Sequence, residues 1–98
     1  GYLQMNNLQL YYSNHCNIRC QQRGIEIEVI DFIVKHGKFR NSHNDKKYYI
    51  NKKILNNLRH KHKSFLRKFE SKILKTGVVV NKETVITAFT INKKFLWN

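Results

Sequence analysis

The stretch Ser13-Asn14-His15-Cys16-Asn17-Ile18-Arg19-Cys20-Gln21-Gln22-Arg23-Gly24-Ile25 has a start, a stop and a face. Ser13 is suited to accept a hydrogen bond from a first-turn amide. Gly24 is suited to the left-handed conformation that ends a helix, and Ile25 is the apolar residue that commonly follows such a stop. The spacing predicts a helix of about three turns. On it His15, Arg19, Gln22 and Arg23 fall on one side, so one imidazole and two guanidiniums project together. Folding does not require such a stripe, whereas binding or cleaving a phosphodiester would use it directly.

Working outward, Ile25 to His36 predicts a second helix, with Ile27, Ile30, Ile33 and Val34 at helical spacing and Gly37 as the stop. Glu26 and Glu28 open it and Lys35 and His36 close it, as the helix dipole prefers, and His36 is most simply a C-terminal dipole partner. On the other side, Gly1 to Asn7 reads as a loose polar start. Met5 is then a candidate native start with Gly1 to Gln4 vector-derived, or the chain is the C-terminal piece of a longer protein. Leu8 to Tyr12 alternates enough for a short edge strand.

Farther along, Lys38-Phe39-Arg40, the turn residues Asn41 to Asp45, and Lys46 to Ile50 read as a hairpin, with Tyr48 and Ile50 facing one way and Lys47 and Tyr49 the other. From the N-cap candidate Asn51 to about Lys75, apolar residues recur at three- and four-residue steps. They predict one long amphipathic helix, or two with a bend near His60 to Lys63. Its outer face carries Lys52, Lys53, Arg59, Lys61, Lys63, Arg67, Lys68, Lys72 and Lys75 against the single acid Glu70. Gly77 to Val80, the turn Asn81 to Thr84, and Val85 to Ile91 form a second hairpin. In it Val85, Thr87, Phe89 and Ile91 share one face, making Thr87 either a satisfied core hydroxyl or a site residue. The order helix, helix, hairpin, helix, hairpin gives a single α+β domain over residues 1–98, a small antiparallel sheet packed by helices on one side.

Ninety-eight residues suffice for one core. Lys+Arg 19 against Asp+Glu 6 gives a net charge of +13. Such an excess repels itself in a compact chain and is most easily understood if the partner is a polyanion, nucleic acid first. An AT-rich genome enriches Lys and Asn, yet it does not explain so few acids. An anionic membrane is the second candidate and an acidic protein the third; no apolar run reaches the roughly 18 residues of a membrane span, and the apolar stripe of the basic helix is needed for the core, so no membrane partner is expected. Cys16 and Cys20, the only cysteines, suit a reducing cytosol better than a disulfide framework. With His60 and His62 they make a nominal zinc set, but the Cys-x3-Cys spacing is not the usual knuckle, so no metal and no cofactor are expected.

The combination Ser13-x-His15-x3-Arg19-x2-Gln22-Arg23-Gly24-Ile25, a helix ending His36-Gly37, a Tyr-rich strand running into Lys52-Lys53, and Gly77-Val-Val-Val80 with Val85-Ile-Thr87 resembles a widespread family of small bacterial proteins. That family looks related to RelE/ParE and BrnT-type toxins and, more broadly, to the barnase, EndoU, colicin and RelE group of ribonucleases. The resemblance covers about Ser13 to Ile91. It implies a compact helix-plus-sheet domain and metal-independent RNase activity. Carried over by position, the family's His falls on His15, its Arg on Arg19, its Gln-Arg-Gly on Gln22, Arg23 and Gly24, and its late Thr on Thr87. Lys82 and Glu83 stand where the family's turn usually has Asp-Gly, and Cys16 replaces a small residue.

Cleavage of this kind needs a base for the 2'-hydroxyl, cations for the phosphorane and a donor near the leaving oxygen. His15 is the natural base because imidazole titrates near neutrality. Arg19 and Arg23 suit bidentate phosphate binding, with ion pairing to Glu26 or Glu28 the structural alternative. Thr87 and Tyr49 complete the expected catalytic set. Arg23, Lys47, Lys52, Lys53, Arg59 and Arg67 are the expected nucleic-acid contacts. The implied partners are RNA and an acidic antitoxin or immunity protein. The site of action is then the bacterial cytoplasm, reached by synthesis there or by delivery within a larger secreted toxin. A non-catalytic nucleic-acid-binding module is the alternative.

Overall fold

The computed structural model describes residues 10–92. In chain order it runs β1 (Tyr11–Tyr12), α1 (Asn14–Arg23), α2 (Ile27–His36), β2 (Lys38–Ser42), β3 (Asp45–Tyr49), α3 (Lys52–Leu58), α4 (Lys63–Lys75), β4 (Thr76–Asn81) and β5 (Thr84–Thr90). The α+β expectation holds among the described residues, with one five-stranded sheet in the order β1-β5-β4-β3-β2. The sheet is mixed rather than antiparallel. β1 pairs in parallel with β5, Tyr11 opposite Thr84 and Tyr12 opposite Val85, and everything between them serves as the crossover. The expected strand residues Leu8 and Gln9 lie outside the described residues.

α1 forms as its caps dictate. The Ser13 hydroxyl accepts from the Cys16 amide at 3.0 Å. At the other end Gly24 sits at φ 64, ψ 37. There the Gly24 amide donates to the Gln21 carbonyl at 3.3 Å and the Ile25 amide to the Cys20 carbonyl at 2.9 Å, a Schellman closure. That closure takes up Ile25, so α2 starts at Ile27, two residues later than the periodicity predicts. Gly37 is not the left-handed stop expected of it: at φ −87, ψ 179 its backbone is extended. Space is its reason, since a Cβ there would lie 2.5 Å from the Tyr49 carbonyl oxygen and 2.6 Å from that of Ile33. The basic amphipathic segment resolves into two helices, α3 capped by the Asn51 side chain accepting from the Ile54 amide at 2.9 Å, with the break at residues 59–62.

Both hairpins close with two-residue loops, and His43 (φ 58) and Lys82 (φ 56) take the left-handed conformation there. The second hairpin corrects the sequence reading. Val80 pairs with Val85 but Val79 pairs with Thr87, so Ile86 is an extra residue, a β-bulge. The bulge reverses the alternation: Val85 and Ala88 are buried, while Thr87 and Phe89 face the other way. Thr87 is therefore not inside an apolar core row. The buried face of the sheet (Val78, Val80, Val85, Ala88) forms one cluster with Val29, Ile30 and Ile33 of α2, Leu66, Phe69 and Ile73 of α4, and Cys16 and Cys20 of α1. The helices thus cover one face and leave the other to half-buried side chains.

Candidate functional site

α1 is fastened to the last strand, and that fixes where its polar stripe stands. The Ser13 amide donates to the Val85 carbonyl at 3.0 Å, and the Ser13 hydroxyl donates to the Ile86 carbonyl at 2.7 Å. The helix is thereby anchored at the bulge. Cys16 and Cys20 turn inward with their sulfurs 3.9 Å apart. Burial, and then Cys20 beside it, push the Cys16 thiol up to about 12. The Cys16 thiol is therefore a poor source of a thiolate for a metal, and the expected partner His62 is engaged elsewhere. Its ring packs against Phe32 and His36, at 5.1 and 4.8 Å between centroids. Among the described residues no three His, Cys, Asp or Glu side chains assemble into a metal site.

With the cysteines inward, the stripe faces away from the core. His15 is exposed, Arg19 half-buried, and Gln22 and Arg23 exposed. Among the described residues neither arginine meets a carboxylate. The expected competitor Glu26 is taken by Lys72, whose Nζ lies 2.9 Å from Oε1. The hydrogen bond from Lys72 and one from Glu26's own backbone hold this carboxyl below its ordinary value. Arg23 instead donates from Nη1 to the Thr90 hydroxyl at 3.0 Å. Arg19 Nε is a buried nitrogen with no hydrogen-bond partner among the described residues. A buried guanidinium nitrogen in that state costs desolvation free energy, which a bound anion would recover.

The remaining candidates fall into two further groups. Lys47, Val79 and Thr87 stand in register across β3, β4 and β5, and Tyr49 shares their face by alternation. This is the sheet face opposite the helices, so the structure does not bring Thr87 and Tyr49 onto the same side of the sheet as the helix carrying His15 and Arg19. The Thr87 hydroxyl makes a long hydrogen bond to the Ala88 carbonyl, 3.4 Å. Sequence reading missed Arg40 and Phe89 on this face. The Arg40 guanidinium stands 5.2 Å over the Tyr49 ring and Lys47 Nζ 5.9 Å from Phe89. Arg40 was legible as the residue facing Lys47 in the first hairpin, but Phe89 needed the bulge.

On the helical side, Lys52, Lys53, Arg59 and Arg67 are all exposed. Arg59 is engaged by Glu70 at 3.0 Å and Asn56 at 3.0 Å, whereas the other three meet no carboxylate among the described residues. His36 stands in the last turn of α2, as expected, but its ring packing outweighs the helix dipole there. It is wedged against Phe32 at 4.5 Å between ring centroids and beside His62. Burial first, then the charge of His62, lowers its pKa from the ordinary 6.5. A group stabilised as a cation by the helix dipole would move the other way.

No helix among the described residues is long and apolar enough to cross a membrane. No protein-family model, curated protein or solved structure matches the chain.

Proposed function

We propose that this protein is a metal-independent endoribonuclease of the bacterial toxin type, acting on RNA in the cytoplasm and neutralised by an acidic partner. One observation carries the reading. α1 holds an exposed imidazole and two guanidiniums on one stripe, among the described residues no carboxylate pairs with either arginine, and one guanidinium nitrogen is buried without a partner. A site built for a structural ion pair would have used Glu26, which is three residues from Arg23 and is given to Lys72 instead.

In this reading the His15 imidazole takes the 2'-hydroxyl proton and the freed oxygen attacks the neighbouring phosphorus. The bond to the 5'-oxygen breaks, and that oxygen leaves with a proton drawn from solvent. The products are a 2',3'-cyclic phosphate and a 5'-hydroxyl. Arg19 lies one turn from His15 and offsets the charge that develops on the non-bridging oxygens. Arg23 binds the RNA backbone. The basic residues Lys52, Lys53 and Arg67 add salt-sensitive affinity, and the net charge of +13 suits an acidic antitoxin or immunity protein. Thr87, Tyr49 and Lys47, across the sheet, contact RNA rather than the reacting atoms.

A second reading, binding without cleavage, is favoured by that same division, because it puts the expected catalytic partners Thr87 and Tyr49 on the sheet face opposite the helix that carries His15. The two separate cleanly when purified wild type, His15→Ala and Arg19→Ala are incubated with a mixed RNA pool in EDTA. Cleavage by wild type, lost in both variants, supports the nuclease. Intact RNA in all three, with salt-dependent binding retained, supports the binding module.

A further inference from the structure

We infer that the cleft where α1, α4 and β5 end holds a second, flanking phosphate of the same RNA strand, gripped by Arg23, Lys75 and Ser71. This rests on the RNA reading above and adds to it a subsite and a minimum substrate length. The cleft encloses about 470 Å³, with Arg23, Ser71, Lys72, Lys75 and Thr90 on its walls.

Its charges are unevenly spent. Lys72 is committed, 2.9 Å from Glu26 Oε1 and 2.7 Å from the Gly24 carbonyl. That pair neutralises the nearest acid, and it already places a cation on the carbonyl end of α1. Arg23 is held by a neutral group, its Nη1 donating to Thr90 Oγ1 at 3.0 Å. The guanidinium is thereby oriented without losing its charge, and its remaining N–H donors keep the planar fork that matches a phosphate. Lys75 is exposed and meets no carboxylate among the described residues. Ser71, also exposed, stands one turn earlier on the same side of α4. The helix dipoles favour cations in the last turns of α1 and α4, yet they would be served by side chains turned to the carbonyls as Lys72 is. Arg23 is turned to β5 instead.

Two further features say which phosphate. Arg23 lies eight residues past His15, about 12 Å along the helix axis at 1.5 Å per residue. A phosphate in the cleft is therefore not the one under His15. Leading into the cleft, Lys63, Arg67, Ser71 and Lys75 recur every fourth residue and form one stripe along α4, with neighbours about 6 Å apart. The only acid on that helix, Glu70, is turned to Arg59 at 3.0 Å. A polyanionic strand lying along α4 meets successive cations and no free carboxylate before it reaches Arg23.

The test uses a 2'-O-methyl oligoribonucleotide, which cannot be cut, so that it does not depend on cleavage. Its binding is measured by fluorescence anisotropy across a salt series for wild type, Lys75→Glu, Ser71→Asp and the control Lys82→Glu, which puts the charge change of Lys75→Glu, larger than that of Ser71→Asp, on the β4–β5 turn. Circular dichroism confirms that all four fold. Lys75→Glu and Ser71→Asp are expected to weaken binding at least tenfold and to reduce the salt slope by about one, whereas Lys82→Glu weakens it less than threefold. If Lys75→Glu and Ser71→Asp match Lys82→Glu while wild type binds, the subsite is wrong and the RNA reading stands. If wild type does not bind, both fall. If Lys75→Glu instead releases the protein from anionic phospholipid vesicles and leaves oligonucleotide binding unchanged, the cleft belongs to a membrane surface and the inference is overturned.

Discussion

Removing the Ser13 hydroxyl should uncap the first turn of α1 and break one of the two hydrogen bonds by which Ser13 holds the last strand, leaving the amide bond to Val85 in place. In Ser13→Ala the Cys16 amide loses its acceptor at 3.0 Å and the Ile86 carbonyl loses its donor at 2.7 Å. Loss of an N-cap costs about 1 kcal/mol. Loss of a hydrogen bond to a partly buried carbonyl costs about 1 more. A total of about 2 kcal/mol corresponds to a fall in Tm of roughly 8–16 °C for a domain of this size. Ser13→Asp separates the two contributions: the carboxylate still accepts from Cys16 but cannot donate to Ile86, so about half of the loss should return. Urea denaturation followed by circular dichroism measures both, with an unchanged m-value confirming that stability alone has moved. A Ser13→Ala midpoint within about 0.5 kcal/mol of wild type refutes the double role. Equal losses in the two variants would place the whole effect in the strand link.

Gly37→Ala should destabilise by about 1–3 kcal/mol, because the added methyl meets two backbone carbonyl oxygens that cannot rotate away; an unchanged urea midpoint would contradict it. His36 is held below its ordinary pKa of 6.5, so between the two values the unfolded chain binds more protons than the folded one. The stability present above pH 6.5 should therefore decline as pH falls through that value toward the folded pKa. His36→Phe, which keeps an aromatic ring against Phe32, should flatten that decline, and a profile unaltered by the substitution would refute the assignment. The buried Cys16 thiol, pushed up to about 12, should resist alkylation by iodoacetamide in the native protein and react once urea unfolds it; rapid native labelling would show that α1 opens freely.

What could be read from the sequence was local. Ser13, Gly24 and Asn51 announce helix ends because each acts within three or four residues of itself, and the basic outer face of α3 and α4 follows from spacing alone. The errors came where distant chain segments decide. Val85-Ile-Thr-Ala-Phe89 alternates equally well with or without an extra residue, so the bulge at Ile86, and with it the side of the sheet that Thr87 faces, is set by pairing with β4. Gly37 looks like a helix stop, but its requirement is the closeness of the Tyr49 backbone. The capture of Glu26 by Lys72 joins residues 46 apart in sequence. No local signal distinguishes it from the alternative pairing with Arg19 or Arg23, yet it helps leave the α1 stripe without a carboxylate among the described residues.

The central claim is that α1 directs 2'-hydroxyl attack on RNA, and the product ends report that chemistry most directly. A single defined oligoribonucleotide is incubated with the protein in EDTA and its fragments are weighed by mass spectrometry, with the His15→Ala variant alongside. The account predicts 2',3'-cyclic phosphate and 5'-hydroxyl ends from wild type and intact RNA from the variant. Fragments ending in 3'-hydroxyl and 5'-phosphate, or equal cleavage by both proteins, would contradict it.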